Sequence, residues 1–259
     1  PQEVRGRPMT TDDSGGRASR VGRRMIGVLG GMGPLATTDF MRKVIEATPA
    51  TKDQDHIPMV AWSVPQIPDR SAAIFGTGES PLPMMQEGVR RLEQMGAGCI
   101  AIACNTAHYW YEDLRRGCGA RLLHIGETAA ERLVALDVPK GRVGLIGTEA
   151  TVRTRVYQDR LEAHGYECLA LGSEESERLF WPAVRKVKTG DTTGATPLLE
   201  EAVERLLAAG AARVVLGCTE VPVGLAPARK AILERCFDAT DALALACVDW
   251  ATAEPAHAA

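Results

Sequence analysis

The chain has 259 residues, enough for a substantial core in one large or two ordinary domains, and its 45% hydrophobic content is that of a globular protein. Aromatic residues make up only 5%, so an aliphatic core is expected. The net charge of −3 is unevenly spread: residues 1–24 carry six arginines against Glu3, Asp12 and Asp13, which leaves the body from Met25 onward at −6 and argues against a nucleic-acid surface there.

Residues 1–24 are rich in Gly, Arg, Ser and Asp and read as a disordered arm. From Met25 the pattern is strand then helix, repeated. Met25–Leu29 reads as a strand, Gly30-Gly31-Met32-Gly33 as a tight loop, and Pro34 as the first turn of a helix to about Thr48. Met59–Ser63 is the next strand. Residues 64–71 form a loop, because Pro65 and Pro68 cannot take ladder positions. Leu82–Met95 is an amphipathic helix before a buried strand that ends in Cys104-Asn105-Thr106-Ala107-His108. A short strand at Leu122–His124, a helix to Leu136 and a strand at Arg142–Ile146 follow. The remaining expected elements are helices at Thr151–His164, Ser176–Lys188, Thr196–Ala209 and Thr240–Ala253, with strands at Cys168–Leu171 and before Cys218.

The pattern is duplicated. An offset of 114 positions brings Cys104 onto Cys218, and 7 of the 21 positions from Met84 to Cys104 are then identical. Val143-Gly144-Leu145-Ile146-Gly147 likewise echoes Ile26-Gly27-Val28-Leu29-Gly30. Alternating strands and helices imply parallel sheets, and the duplication implies two similar α/β lobes related by a pseudo-twofold axis. The expected division is lobe 1 at 25–124 plus 231–259 and lobe 2 at 125–230, with the active site in the cleft between them. Ligands of open parallel sheets sit beyond the carboxyl ends of the strands, where each lobe supplies one cysteine.

Two thiols approaching one cleft from opposite sides suit a reaction that removes a proton from one face of a carbon and returns one to the other. A free cysteine titrates near about 8.5 and is easily shifted, so it can serve as base or acid. Amides at the start of each following helix favour the thiolate, and Asn105, Thr106 and Thr219 offer polar groups to a substrate carboxylate. Thr148 and Thr151 follow the duplicated strand and face the same region. The seven cysteines are odd in number and lack a disulfide-scaffold spacing, which points to a reducing cytoplasm. No CxxC pair or histidine cluster marks a metal site, no apolar run is long enough to span a membrane, and the N-terminus lacks the apolar stretch of a secretory signal.

Ile26–Thr37, Pro65-Gln66-Ile67-Pro68-Asp69-Arg70, Cys104–His108 and Gly217-Cys218-Thr219-Glu220 together resemble the aspartate/glutamate racemase family, and its aspartate racemase branch in particular. The resemblance runs from Met25 to about Trp250. It implies an isomerase that needs neither pyridoxal phosphate nor metal and acts on a small acidic amino acid, most simply aspartate. It implies Cys104 and Cys218 as the acid/base pair, Cys218 taking the proton of the L-enantiomer and Cys104 that of the D-enantiomer. It further implies substrate contacts from Met32, Asp69, Arg70, Ser71, Asn105, Thr106, Ala107, Lys188, Thr219 and Glu220, beside Thr148 and Thr151. Arg70 would clamp a carboxylate with its two-pronged fork. A homodimer is also implied. The sequence departs from the branch at Ser63-Val64, where aspartate racemases commonly carry two asparagines.

Rival readings remain. Gly31-Met32-Gly33-Pro34-Leu35-Ala36 fits a dinucleotide fingerprint, but the second strand ends in Trp62-Ser63-Val64 without the acid that holds a ribose. A glutamate racemase, a related decarboxylase or isomerase, and a non-catalytic amino-acid sensor stay open; retention of both thiols speaks against the sensor.

Overall fold

The structure, a computed structural model, describes residues 24–253. The expected arm thus lies outside the described residues, except for Arg24, whose guanidinium sits 4.2 Å over the Trp250 ring. The first half runs β1 (Ile26–Gly30), α1 (Pro34–Ala47), β2 (Met59–Ser63), α2 (Arg70–Ile74), α3 (Leu82–Gln94), β3 (Cys99–Ile102), α4 (Tyr111–Arg116), β4 (Arg121–Leu122) and α5 (Ile125–Ala135). The second half runs β5 (Gly141–Ile146), α6 (Glu149–Arg153), α7 (Gln158–Ala163), β6 (Tyr166–Ala170), α8 (Ser173–Glu175), α9 (Trp181–Lys188), α10 (Thr192–Ala208), β7 (Val214–Leu216), α11 (Glu220–Leu225), α12 (Lys230–Leu233), β8 (Cys236–Asp238) and α13 (Ala239–Thr252).

The strands form two four-stranded parallel sheets, ordered β2-β1-β3-β4 and β6-β5-β7-β8. Their registers repeat as well: Gly27 pairs with Ile100 in the first sheet, and their counterparts Gly144 and Val214 pair in the second. In both orders the chain reverses its winding between the first and third strands, which opens a crevice at their carboxyl ends.

Alternation along the strands decides what fills each face. Cys99, Ala101 and Ala103 turn to a core that also takes Val28 of β1, Val143 and Leu145 of β5 and Val215 of β7, filled by α5 and α13. This shared core joins the two sheets. Ile100, Ile102 and Cys104 turn to the opposite face, against Met85, Val89 and Leu92 of α3. Val214, Leu216 and Cys218 do the same against Leu199, Val203 and Leu206 of α10. The two cysteines therefore extend equivalent faces of equivalent strands. Lys43 of α1, buried, meets Asp39 at 2.9 Å, Asp238 and, at 3.4 Å, Asp241, and so pins the first lobe to the β8–α13 corner.

Several elements differ from the sequence expectation. Residues 69–71 are not a simple turn: Asp69 caps α2 by accepting from the Ala72 amide at 2.8 Å, and Arg70 is the first helical residue. The helix expected at Thr151–His164 is split into α6 and α7, with Arg155 between them at a φ of 56°, in the left-handed region that ends a helix. The helix before Lys188 starts at Ser173 and passes through a wide turn over Ser176–Phe180. α10 begins at Thr192 rather than Thr196, because the Asp191 carboxylate caps the Gly194 amide at 2.8 Å. The strand Cys236–Asp238 was not anticipated. It pairs with β7, so residues 236–238 join the second sheet where the first lobe was expected to resume at 231, while α13 packs on α1 and α5. Among the described residues no helix is long and apolar enough to cross a membrane.

Candidate active site

The segments that leave β1, β3, β5 and β7 converge at the crevice. After β1 the chain reverses at Gly31, whose φ is +90° and where an added Cβ would stand 2.4 Å from the Val64 backbone, so no side chain fits. Thr37, one turn into α1, holds this loop: its hydroxyl accepts from the Gly31 amide at 2.9 Å and donates to the Gly33 carbonyl at 2.8 Å. After β3, Cys104 leads into a tight turn at Thr106–Trp110. His108 folds back so that its Nδ1–H donates to the Cys104 carbonyl at 2.9 Å. The Ala107 amide faces the Cys104 sulfur, and the Glu220 amide faces the Cys218 sulfur, so each thiol meets an amide at the start of the helical turn that follows it.

Both cysteines are nearly sealed, at 5% exposure for Cys104 and 6% for Cys218. Burial pushes both thiols up, and they then part company. The Arg70 guanidinium beside Cys104 pulls its thiol back toward the thiolate, with a smaller opposing push from Glu220. Cys218 is pushed well above the usual thiol range by burial and then by the Glu220 carboxylate, to whose Oε2 its Sγ donates at 3.1 Å. Cys104 adds to that push, so the two sulfurs lie within electrostatic reach of each other. Arg70 is held by two bonds from Nη1, to the Ile67 and Pro68 carbonyls, both at 3.0 Å.

Threonines close the gap between the lobes. Thr106 of the first approaches Thr148 and Thr151 of the second at 3.0 and 2.9 Å, and these two lie 2.9 Å apart, a buried triangle of hydroxyls. Asn105 is fixed from the second lobe as well. Burial keeps Tyr157 protonated, so its hydroxyl donates to Asn105 Oδ1. That assigns the amide orientation and leaves Asn105 Nδ2 a buried donor without a partner.

A cavity of about 510 Å³ opens above these groups, walled by the Gly31–Ala36 loop, Pro65, Ile67, Asp69, Arg70, Val187, Lys188 and Glu220. Of the residues expected at the site, Met32, Asp69, Arg70, Lys188 and Glu220 form this wall. Cys104, Asn105, Thr106, Ala107, Thr148, Thr151, Cys218 and Thr219 are buried and do not line it, and half-buried Ser71 takes no part in it either. The Asp69 carboxylate is already engaged as the α2 cap, which fits it to shape the Arg70 turn more than to bind an anion. Glu220 is common to the wall and to both thiols.

The family model for Asp/Glu/hydantoin racemases matches residues 29–247. The chain belongs to this family. The aspartate racemase of Picrophilus torridus superposes with a TM-score of 0.77 at 30% identity, over 88% of this chain and 94% of that one. A glutamate racemase, RacE1 of Bacillus anthracis, shares the fold at a TM-score of 0.64 and 19% identity, over 86% of this chain and 79% of that one. In sequence, the broad specificity amino-acid racemase RacX of Bacillus subtilis is 33% identical over 149 residues, 56% of this chain and 63% of RacX. The chain thus spans less than two thirds of the length of RacX, and the same holds for the glutamate racemase of Corynebacterium diphtheriae, at 62%. Two-sheet α/β architecture and family membership agree with the sequence reading. Tyr157 and Thr37 were missed by it. Tyr157 lies in no motif and acts through Asn105, 52 residues away, while Thr37 ends the Ile26–Thr37 motif but was assigned no role.

Proposed function

We propose that this protein is a cofactor-independent racemase of a free acidic amino acid, aspartate first, working by proton transfer between Cys104 and Cys218. The observation that carries this reading is the pair of thiols on equivalent faces of duplicated strands, each backed by a helix-start amide and each within the other's field. One sulfur removes the α-proton as a thiolate, and the other donates its proton to the opposite face. By family likeness Cys218 acts on the L-enantiomer and Cys104 on the D-enantiomer. Arg70 binds the carboxylate nearest the thiols, the free Asn105 Nδ2 donates to it, and Lys188 at the mouth meets the second carboxylate. Fixed donors of this kind stabilise the carbanion as charge develops. The family likeness supports a homodimer, and the odd number and spacing of the cysteines support a reducing cytoplasm.

One feature favours a wider range. The wall near the mouth is apolar, with Met32, Leu35, Pro65, Ile67 and Val187, and Ser63-Val64 replaces the paired asparagines of the aspartate branch. The broad-specificity relative is consistent with that.

Proton NMR in D₂O without added cofactor, on both enantiomers of aspartate, glutamate and a panel of neutral amino acids, tests the proposal. Loss of the α-proton signal with appearance of the opposite enantiomer is expected, and either Cys104→Ala or Cys218→Ala abolishes it. A single-cysteine variant that racemises at near wild-type rate refutes the two-base mechanism.

A further inference from the structure

We infer that Glu220 is the proton acceptor that converts the Cys218 thiol into the thiolate. This rests on the two-thiol reading above and assigns Glu220 a role other than the substrate contact expected from sequence.

The two thiols face different charges. Cys104 has a cation beside it, and the Arg70 guanidinium can stabilise a thiolate directly. Cys218 has no such help. Its charged neighbour is a carboxylate, and a Cys218 thiolate formed by loss of the proton to water would stand beside a second negative charge in a site closed to solvent. A base is needed at Cys218 for one direction of the reaction, so the proton must have somewhere to go.

The geometry supplies that place. Cys218 Sγ already points its hydrogen at Glu220 Oε2, 3.1 Å away. Thr219 Oγ1 donates to the same oxygen at 3.2 Å, which fixes the acceptor. The other oxygen, Oε1, faces Gly33 across the crevice, where an added Cβ would stand 3.4 Å from it. Glu220 is 6% exposed and has no ion-pair partner among the described residues, so its carboxylate is held by the Cys218 and Thr219 donors alone.

The step balances. The Cys218 S–H bond breaks and a Glu220 O–H bond forms. The thiolate then takes the α-proton, restoring the Cys218 thiol, and Cys104 delivers its proton to the other face and becomes a thiolate beside Arg70. Release of the Glu220 proton and uptake of one by Cys104 reset the enzyme. The Cys104-initiated direction has Arg70 as counter-charge and does not call on Glu220 as acceptor.

Steady-state racemisation cannot separate these directions, because the equilibrium constant of one ties their kcat/KM values together. Irreversible loss of HCl from the two α-enantiomers of 3-chloroaspartate can, since each needs only one base. Cys218→Ala and Cys104→Ala first identify which enantiomer depends on which thiol. Glu220→Gln is then expected to slow chloride release from the Cys218-dependent enantiomer about 100-fold more than from the Cys104-dependent one, the scale of a lost general base at one of two sites. Taking the ratio of the two rates cancels any loss of folding or of substrate binding that both enantiomers share. Equal slowing of both enantiomers, or of neither, overturns the assignment. If the wild-type protein releases chloride from neither enantiomer, the two-thiol aspartate reading falls, and this inference falls with it.

Discussion

Replacing Tyr157 with Phe removes one hydroxyl and leaves its ring in place. The structure predicts two separable effects. Tyr157 and Asn105 are both buried, and the lost bond leaves Asn105 Oδ1 without its donor. An unsatisfied buried acceptor costs about 1–3 kcal/mol, and for a chain of this size that lowers Tm by about 2–10 °C. The second effect is on substrate. Without Tyr157 the Asn105 amide is free to turn over, and the Nδ2 donor that would meet the carboxylate is no longer fixed, so KM is expected to rise about 5- to 10-fold with a smaller change in kcat. Tyr166→Phe is the control. Its hydroxyl donates to the Val138 carbonyl at 3.0 Å, also buried but in a bond that Asn105 does not share, so it should lower Tm and leave KM alone. Thermal unfolding and steady-state racemisation of both variants decide the matter. An equal rise of KM in both, or an unchanged Tm in Tyr157→Phe, refutes the reasoning.

Arg70→Lys keeps the charge but loses the planar fork, in which Nη1 anchors to the Ile67 and Pro68 carbonyls and the other nitrogens are left for a carboxylate, so kcat/KM should fall about 100-fold, and retention of full activity would remove Arg70 from the substrate clamp. The protein should also lose stability as pH falls below neutrality. Burial lowers His108 to about 4, and burial with the neighbouring His108 and Arg160 charges lowers His124 to about 2. Both titrate near about 6.5 when unfolded, so the unfolded chain binds more protons below that pH, and the stability present above it drains away as pH falls toward 4. Asp241, raised to about 6 by burial and by Asp238, works in the opposite sense between its unfolded value and 6. At pH 5 each histidine costs about 2 kcal/mol, so urea unfolding of His108→Asn should show a pH 7.5 to pH 5 loss smaller by about that amount than the wild type. An identical loss would mean that His108 is not the buried neutral group described.

Much of this molecule was legible without coordinates, and the reason is that it is built twice. The strand-then-cysteine segments ending at Cys104 and Cys218 are local and repeat at a constant offset, so the fold class, the duplicated strands and the position of both thiols at strand ends followed from spacing alone. Gly31 and Pro34 marked their loop because backbone conformation is a local property. What the chain could not disclose were properties of partners far apart in sequence. The split between α6 and α7 depends on a left-handed Arg155 with no turn motif to announce it, and β8 is too short to be seen before β7 stands beside it. The Arg70 guanidinium reaches Cys104 from the start of α2, 34 residues earlier, and the Tyr157–Asn105 bond spans 52 residues. Sequence determined which groups the site holds and set Glu220 two residues after Cys218; only the tertiary structure brought Arg70 to Cys104 and Tyr157 to Asn105, because Coulomb and hydrogen-bond energies depend on distances that chain order does not carry.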